Sequence, residues 1–136
     1  MNAFKISLLS LGIVSFSQVA IAEKVKIPCP IQTQFSWAIQ MPLKIWAGTY
    51  KLPNVTPWSQ LLVDTPASRA LPTLTPMLAK TSGDGPQKSL FCLYSGIKDE
   101  KPSTGITEGQ LEELHGYTKC EAYNDEEHGF TCQKPE

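Results

Sequence analysis

IQTQFSWAIQMPLKI, residues 31–45, alternates between apolar and polar side chains along nearly its whole length. Odd positions carry Ile31, Thr33, Phe35, Trp37, Ile39, Met41, Leu43 and Ile45, while even positions carry Gln32, Gln34, Ser36, Ala38, Gln40, Pro42 and Lys44. A period of two over such a length means extended chain with one buried face. Pro42 has no N–H to give to a ladder, so the run breaks or bends there, or lies at a sheet edge.

Outward from this stretch the chain continues in the same vein. Lys88 to Ser95 alternates Leu90, Cys92 and Tyr94 with Phe91 and Leu93, and apolar residues on both faces predict a central strand. Trp58 to Val63 suits a short strand or a helical turn. Beyond it Pro66, Pro72 and Pro76 punctuate small and polar residues as far as Ser82-Gly83-Asp84-Gly85-Pro86, which predicts a long surface loop over 64–87. Thr107-Glu108-Gly109-Gln110 has the form of a capping box, with Leu111 and Leu114 three apart and Gly116 where a helix would stop. That spacing predicts one short helix. The near-repeat of His115-Gly116-Tyr117-Thr118-Lys119-Cys120 and His128-Gly129-Phe130-Thr131-Cys132, with Asn124-Asp125 between, predicts a hairpin. The fold expected is mainly β, in the α+β sense: a small antiparallel sheet or sandwich with one short helix.

The first 22 residues read as an export signal: Lys5, the apolar run Ile6 to Phe16, and the small-residue cleavage site Val19-Ala20-Ile21-Ala22. The apolar run is too short for a stable membrane anchor. What remains, 23–136, suits a single β-rich domain, and eleven prolines, ten of them between Pro28 and Pro102, disfavour long helices there. Four cysteines, Cys29, Cys92, Cys120 and Cys132, are read in an exported chain as two disulfides. Three pairings exist on paper, and proximity favours Cys120 with Cys132, leaving Cys29 for Cys92. A zinc site is the rival reading, but there is no C-x-x-C spacing and only His115 and His128 are available to complete it. No metal or other cofactor is expected.

Charge is divided unevenly. From Glu23 to Lys98 eight basic residues face three acids, whereas from Asp99 onward ten acids face three lysines. An acidic surface offered to a partner and a plain solvated face both fit this pattern. No basic cluster interleaved with aromatics points to nucleic acid. His115 and His128 stand in no recognisable nucleophile or metalloprotease frame, and the carboxylates Glu112, Glu113, Asp125, Glu126 and Glu127 read as a solvated stretch rather than a glycosidase pair. Among the aromatics, Phe35 and Trp37 belong to the core by parity, while Trp46 suits a surface contact or a second buried layer.

Cys29-Pro30 soon after the signal, Trp46-Ala47-Gly48, Cys92-Leu93-Tyr94 and the closing Cys120 and Cys132 together resemble small exported proteins of Gram-negative bacteria. Among these are the EirA-like periplasmic proteins associated with type IV secretion in intracellular pathogens. The resemblance implies a periplasmic, non-enzymatic accessory that binds another envelope protein, possesses no catalytic residue and supports virulence. Candidate partner-binding residues are Trp46, Arg69, Asp84, Glu112, Glu113, Asp125, Glu126 and Glu127. The competing expectation is an inhibitor of a host or envelope hydrolase, a lysozyme or protease, that inserts a rigid loop near Arg69 or Gly83-Asp84-Gly85.

Overall fold

A computed structural model describes residues 23–51, 57–84, 88–110 and 117–134. These residues form nine antiparallel strands in two sheets. The strands are β1 (Lys24–Pro28), β2 (Phe35–Gln40), β3 (Ile45–Tyr50), β4 (Trp58–Pro66), β5 (Leu74–Ser82), β6 (Ser89–Lys98), β7 (Lys101–Gln110), β8 (Thr118–Asn124) and β9 (His128–Gln133). The smaller sheet has the order β1-β9-β8 and the larger β2-β3-β4-β7-β6-β5.

The alternating stretch 31–45 divides at its proline. After a 3-10 turn over Gln32–Gln34, β2 runs to Gln40, and the cis Met41–Pro42 bond with Lys44 at φ 55° turns the chain into β3. β2 is an edge strand, one of the placements that Pro42 allowed. The buried face is shorter than the alternation: Phe35 is buried and Trp37 half-buried, but Ile31, Ile39, Met41 and Leu43 are 54–68% exposed. β6 lies between β5 and β7, as a strand apolar on both faces should.

Two expectations fail. Thr107 to Gln110 is no helix start but the end of β7, paired to β4 through Leu61↔Thr107 and to β6 through Cys92↔Thr107. Its inward positions, Ser103, Gly105, Thr107 and Gly109, are small, and the bulk that a strand normally presents comes from Leu61, Val63, Leu90 and Tyr94 on its neighbours. Leu111 to Gly116, the rest of the predicted helix, lies outside the described residues. Half of the predicted loop over 64–87 is likewise strand, and 85–87 lie outside the described residues. β4 extends through Pro66 and β5 occupies Leu74–Ser82, where Pro76 sits at a register shift on an edge and is therefore tolerated.

The core lies between the two sheets. Trp58 on β4 meets Phe130 on β9 with ring centroids 5.9 Å apart, and Leu61, Leu90, Tyr94 and Phe130 are completely buried. Each such side chain stabilises the fold by about 2 kcal/mol through lost apolar exposure. Gly48 on β3 permits close approach across the β2–β3 pair, since a Cβ there would stand 2.7 Å from that of Phe35 and 3.1 Å from the Trp37 ring.

Both disulfides pair as proximity predicts, Cys29 with Cys92 and Cys120 with Cys132. The first fastens the exit of β1 to β6 in the other sheet, and one residue beyond Cys29 the Pro30 carbonyl accepts from Tyr94 Oη at 2.6 Å. The second closes the β8–β9 hairpin. Cystines are maintained in an oxidising, exported environment. The two sheets also meet edge to edge, where the Asn124 side chain accepts from the Ala79 N–H at 2.8 Å and donates to the Ala79 carbonyl at 3.0 Å.

Candidate binding surface

The large sheet has one face on the core and one on solvent, and the solvent face is unusually apolar. Registers place Ala38 opposite Ala47, Ala47 opposite Leu62, Leu62 opposite Ile106, Ile106 opposite Leu93, and Leu93 opposite Leu78. One apolar side chain per strand thus forms a line across all six strands. Leu62, Ile106 and Leu78 are 36–41% exposed, and Met77 and Ile97 nearby are more so. A shallow groove of about 330 Å³ runs along the line, walled by Ile45, Leu62, Met77, Leu93 and Ile106. A solvated antiparallel face normally alternates to polar residues at such positions.

Charge frames the line rather than interrupting it. Asp64 is held at the groove by the Thr104 N–H at 2.9 Å and the Thr104 hydroxyl at 3.0 Å. Glu108 stands opposite Phe91, and Lys80 Nζ lies over the Phe91 ring, 5.7 Å from its centroid. The arrangement is a hydrophobic strip with two carboxylates along β4 and β7 and an ammonium on β5.

The residues singled out in the sequence are placed elsewhere. Trp46 shares a face with Ile39, its register partner, because the turn at Met41–Lys44 exchanges parity between β2 and β3. It packs half-buried against the core and its Nε1–H donates to the Arg69 carbonyl at 2.8 Å. Arg69 is thereby tied into the 67–73 connection, with its own N–H on the Pro66 carbonyl. Asp84 follows Gly83, at φ 86°, on the exposed turn after β5. Glu112, Glu113 and His115 lie outside the described residues.

Asp125, Glu126 and Glu127 are exposed in the β8–β9 turn. The Glu127 N–H donates to Asp125 Oδ1 at 2.9 Å, and this bond, ahead of the opposing effect of desolvation, holds the Asp125 carboxyl below its ordinary range. Burial first, then Glu127 and Asp125, raise the Tyr123 phenol above its usual value. Lys26 Nζ lies 5.1 Å from the Tyr123 ring centroid. His128 Nδ1 stands 2.8 Å from Asn124 Oδ1, so the ring donates to the same oxygen that accepts from Ala79 and steadies the contact between the sheets.

Among the described residues no three His, Cys, Asp or Glu side chains gather as a metal site, and no helix is long and apolar enough to cross a membrane. The residues missed from the sequence, Leu62, Met77, Leu78 and Ile106, left a faint trace there: Leu61-Leu62 and Met77-Leu78 are paired apolar residues in segments where one face alone needs them. No family model matches the chain, and neither a curated protein nor a solved structure does.

Proposed function

We propose that this protein is a non-catalytic binding module of the bacterial periplasm that receives another envelope protein on the solvent face of its six-stranded sheet. The observation that carries the reading is the unbroken apolar line Leu62, Ile106, Leu93, Leu78 across four neighbouring strands, with Leu62, Ile106 and Leu78 exposed and Leu93 half-buried among them. Exposed apolar surface of this continuity costs solubility unless a partner covers it. The partner that fits presents a flat apolar segment with a basic residue beside it, to meet Asp64 and Glu108. A subunit or accessory of a type IV secretion apparatus is the partner class favoured by the resemblance of the cysteine and tryptophan motifs.

Photo-crosslinking in living cells tests this. A benzoylphenylalanine at position 106 is expected to give one discrete adduct with an envelope protein, abolished by Leu62→Asp, whereas the same probe at Glu121 on the small sheet gives none. Equal labelling from both positions, or an adduct at 106 indifferent to Leu62→Asp, overturns the assignment. An adduct with a hydrolase whose activity falls in the complex transfers the reading to inhibition.

A further inference from the structure

We propose that β2 pairs antiparallel with β2 of a second copy of this chain, joining two six-stranded sheets edge to edge. This is independent of the partner assigned to the solvent face. The four sheet edges differ in how they are protected. Proteins protect exposed edges with charge, proline, bulges or a covering segment, because open N–H and C=O groups recruit other strands. β1, KVKIP, carries Lys24, Lys26 and Pro28. β8 carries Lys119 at φ 50° and a register shift between Thr118 and Glu121. β5 carries Pro76, a register shift and the Asn124 side chain clamped on Ala79. β2, FSWAIQ, has none of these along its length.

Its outward groups can be assigned. Lys51 N–H donates to the Gln34 carbonyl, and Lys44 N–H to the Gln40 carbonyl, so the even residues of the strand point their backbone at β3. Phe35, Trp37 and Ile39 therefore point theirs away from the sheet. The Phe35 N–H is already spent on the Gln32 carbonyl in the 3-10 turn. Trp37 and Ile39 remain, and among the described residues no other group bonds to their backbone. One two-fold register uses both fully: Trp37 of each copy opposite Ile39 of the other, with Ala38 facing Ala38 at the axis and Ser36 facing Gln40.

That register also resolves the shortfall in burial. The alternation writes a buried face as far as Leu43, yet within one chain Ile39, Met41 and Leu43 are 54%, 61% and 68% exposed. Pairing sets Ile39 against the half-buried Trp37 of the second copy, and lays the Met41–Leu43 tip along the other copy's Thr33–Phe35 segment. The six residues of β2 carry no charge, so the two-fold opposes no like charges. A strand that complements itself favours a second copy over an unrelated extended peptide.

Sedimentation of the mature chain is expected to show a dimer that dissociates on dilution. Ile39→Pro removes one outward donor per copy while leaving the β2–β3 ladder intact, and raises the dimer Kd about thirtyfold for the two bonds lost. Ala38→Cys, exposed and facing itself as a non-hydrogen-bonded pair, is expected to form a 38–38 disulfide dimer, because the Cα atoms in such a pair stand about 4.5 Å apart. The result that overturns the proposal is a monomer at millimolar concentration, a dimer unaffected by Ile39→Pro with native circular dichroism, or a folded Ala38→Cys protein that does not cross-link.

Discussion

Replacing Cys29 and Cys92 together with alanine is expected to weaken the fold more than replacing Cys120 and Cys132. The two bridges close loops of very different size, 63 against 12 residues of separation. Loop-closure entropy puts the first at about 4 kcal/mol and the second at about 3 kcal/mol. All four sulfurs are buried, 0–5% exposed, so the loss of their packing is common to both variants and drops out of the comparison. What remains is topology. Cys29–Cys92 joins the two sheets, whereas Cys120–Cys132 joins neighbouring strands that ladder hydrogen bonds already hold. Urea unfolding followed by tryptophan fluorescence measures the difference. With a slope near 1.3 kcal/mol per molar for a domain of this size, the midpoint should fall by about 3 M for the first variant and about 2 M for the second. If the hairpin variant loses as much or more, the account of the first bridge as the tie between the sheets is wrong.

Two further outcomes are expected. Burial, with a contribution from Tyr50, holds the Tyr94 phenol far above its ordinary value. An acid whose folded value is raised stabilises the fold below its unfolded value, near 10, and that contribution is lost as pH climbs above it. Thermal melting should fall steeply above pH 10, and Tyr94→Phe should flatten that decline while costing about 1 kcal/mol at neutral pH for the bond to Pro30; an unchanged alkaline slope would refute the attribution. Gly48→Ala should lower stability by about 2 kcal/mol, since Phe35 Cβ cannot retreat from a new methyl at 2.7 Å, and a calorimetric Tm within a degree of wild type would show that the strand pair yields.

How much of this was legible depends on where each side chain found its neighbours. β2, β6 and the β8–β9 hairpin were readable because their own residues alternate or carry the turn and the cysteines. β7 was not, since its inner face is Ser, Gly, Thr, Gly and the packing that makes it a strand belongs to Leu61, Val63, Leu90 and Tyr94 on other strands. A local capping pattern then outweighed a partner set that lies on other segments of the chain. β5 was hidden for a related reason, because prolines that punctuate loops are also permitted on an edge. The apolar line on the solvent face is a property of register across strands, and no single segment contains it. That Trp46 shares a face with Ile39 follows from the turn at Met41–Lys44, which exchanges parity and cannot be counted from alternation alone.

The grip of Asn124 on Ala79 has a consequence for how large any assembly can become. A carboxamide occupies the main-chain donor and acceptor of Ala79 on the far rim of the long sheet, and His128 steadies it there. A molecule open at one rim and stoppered at the other has a single valence. Two such molecules satisfy each other and stop, whereas a sheet with two open rims would go on adding members into a filament. Pro76 and the register shift beside it guard the same rim, so association through the other edge ends at two copies.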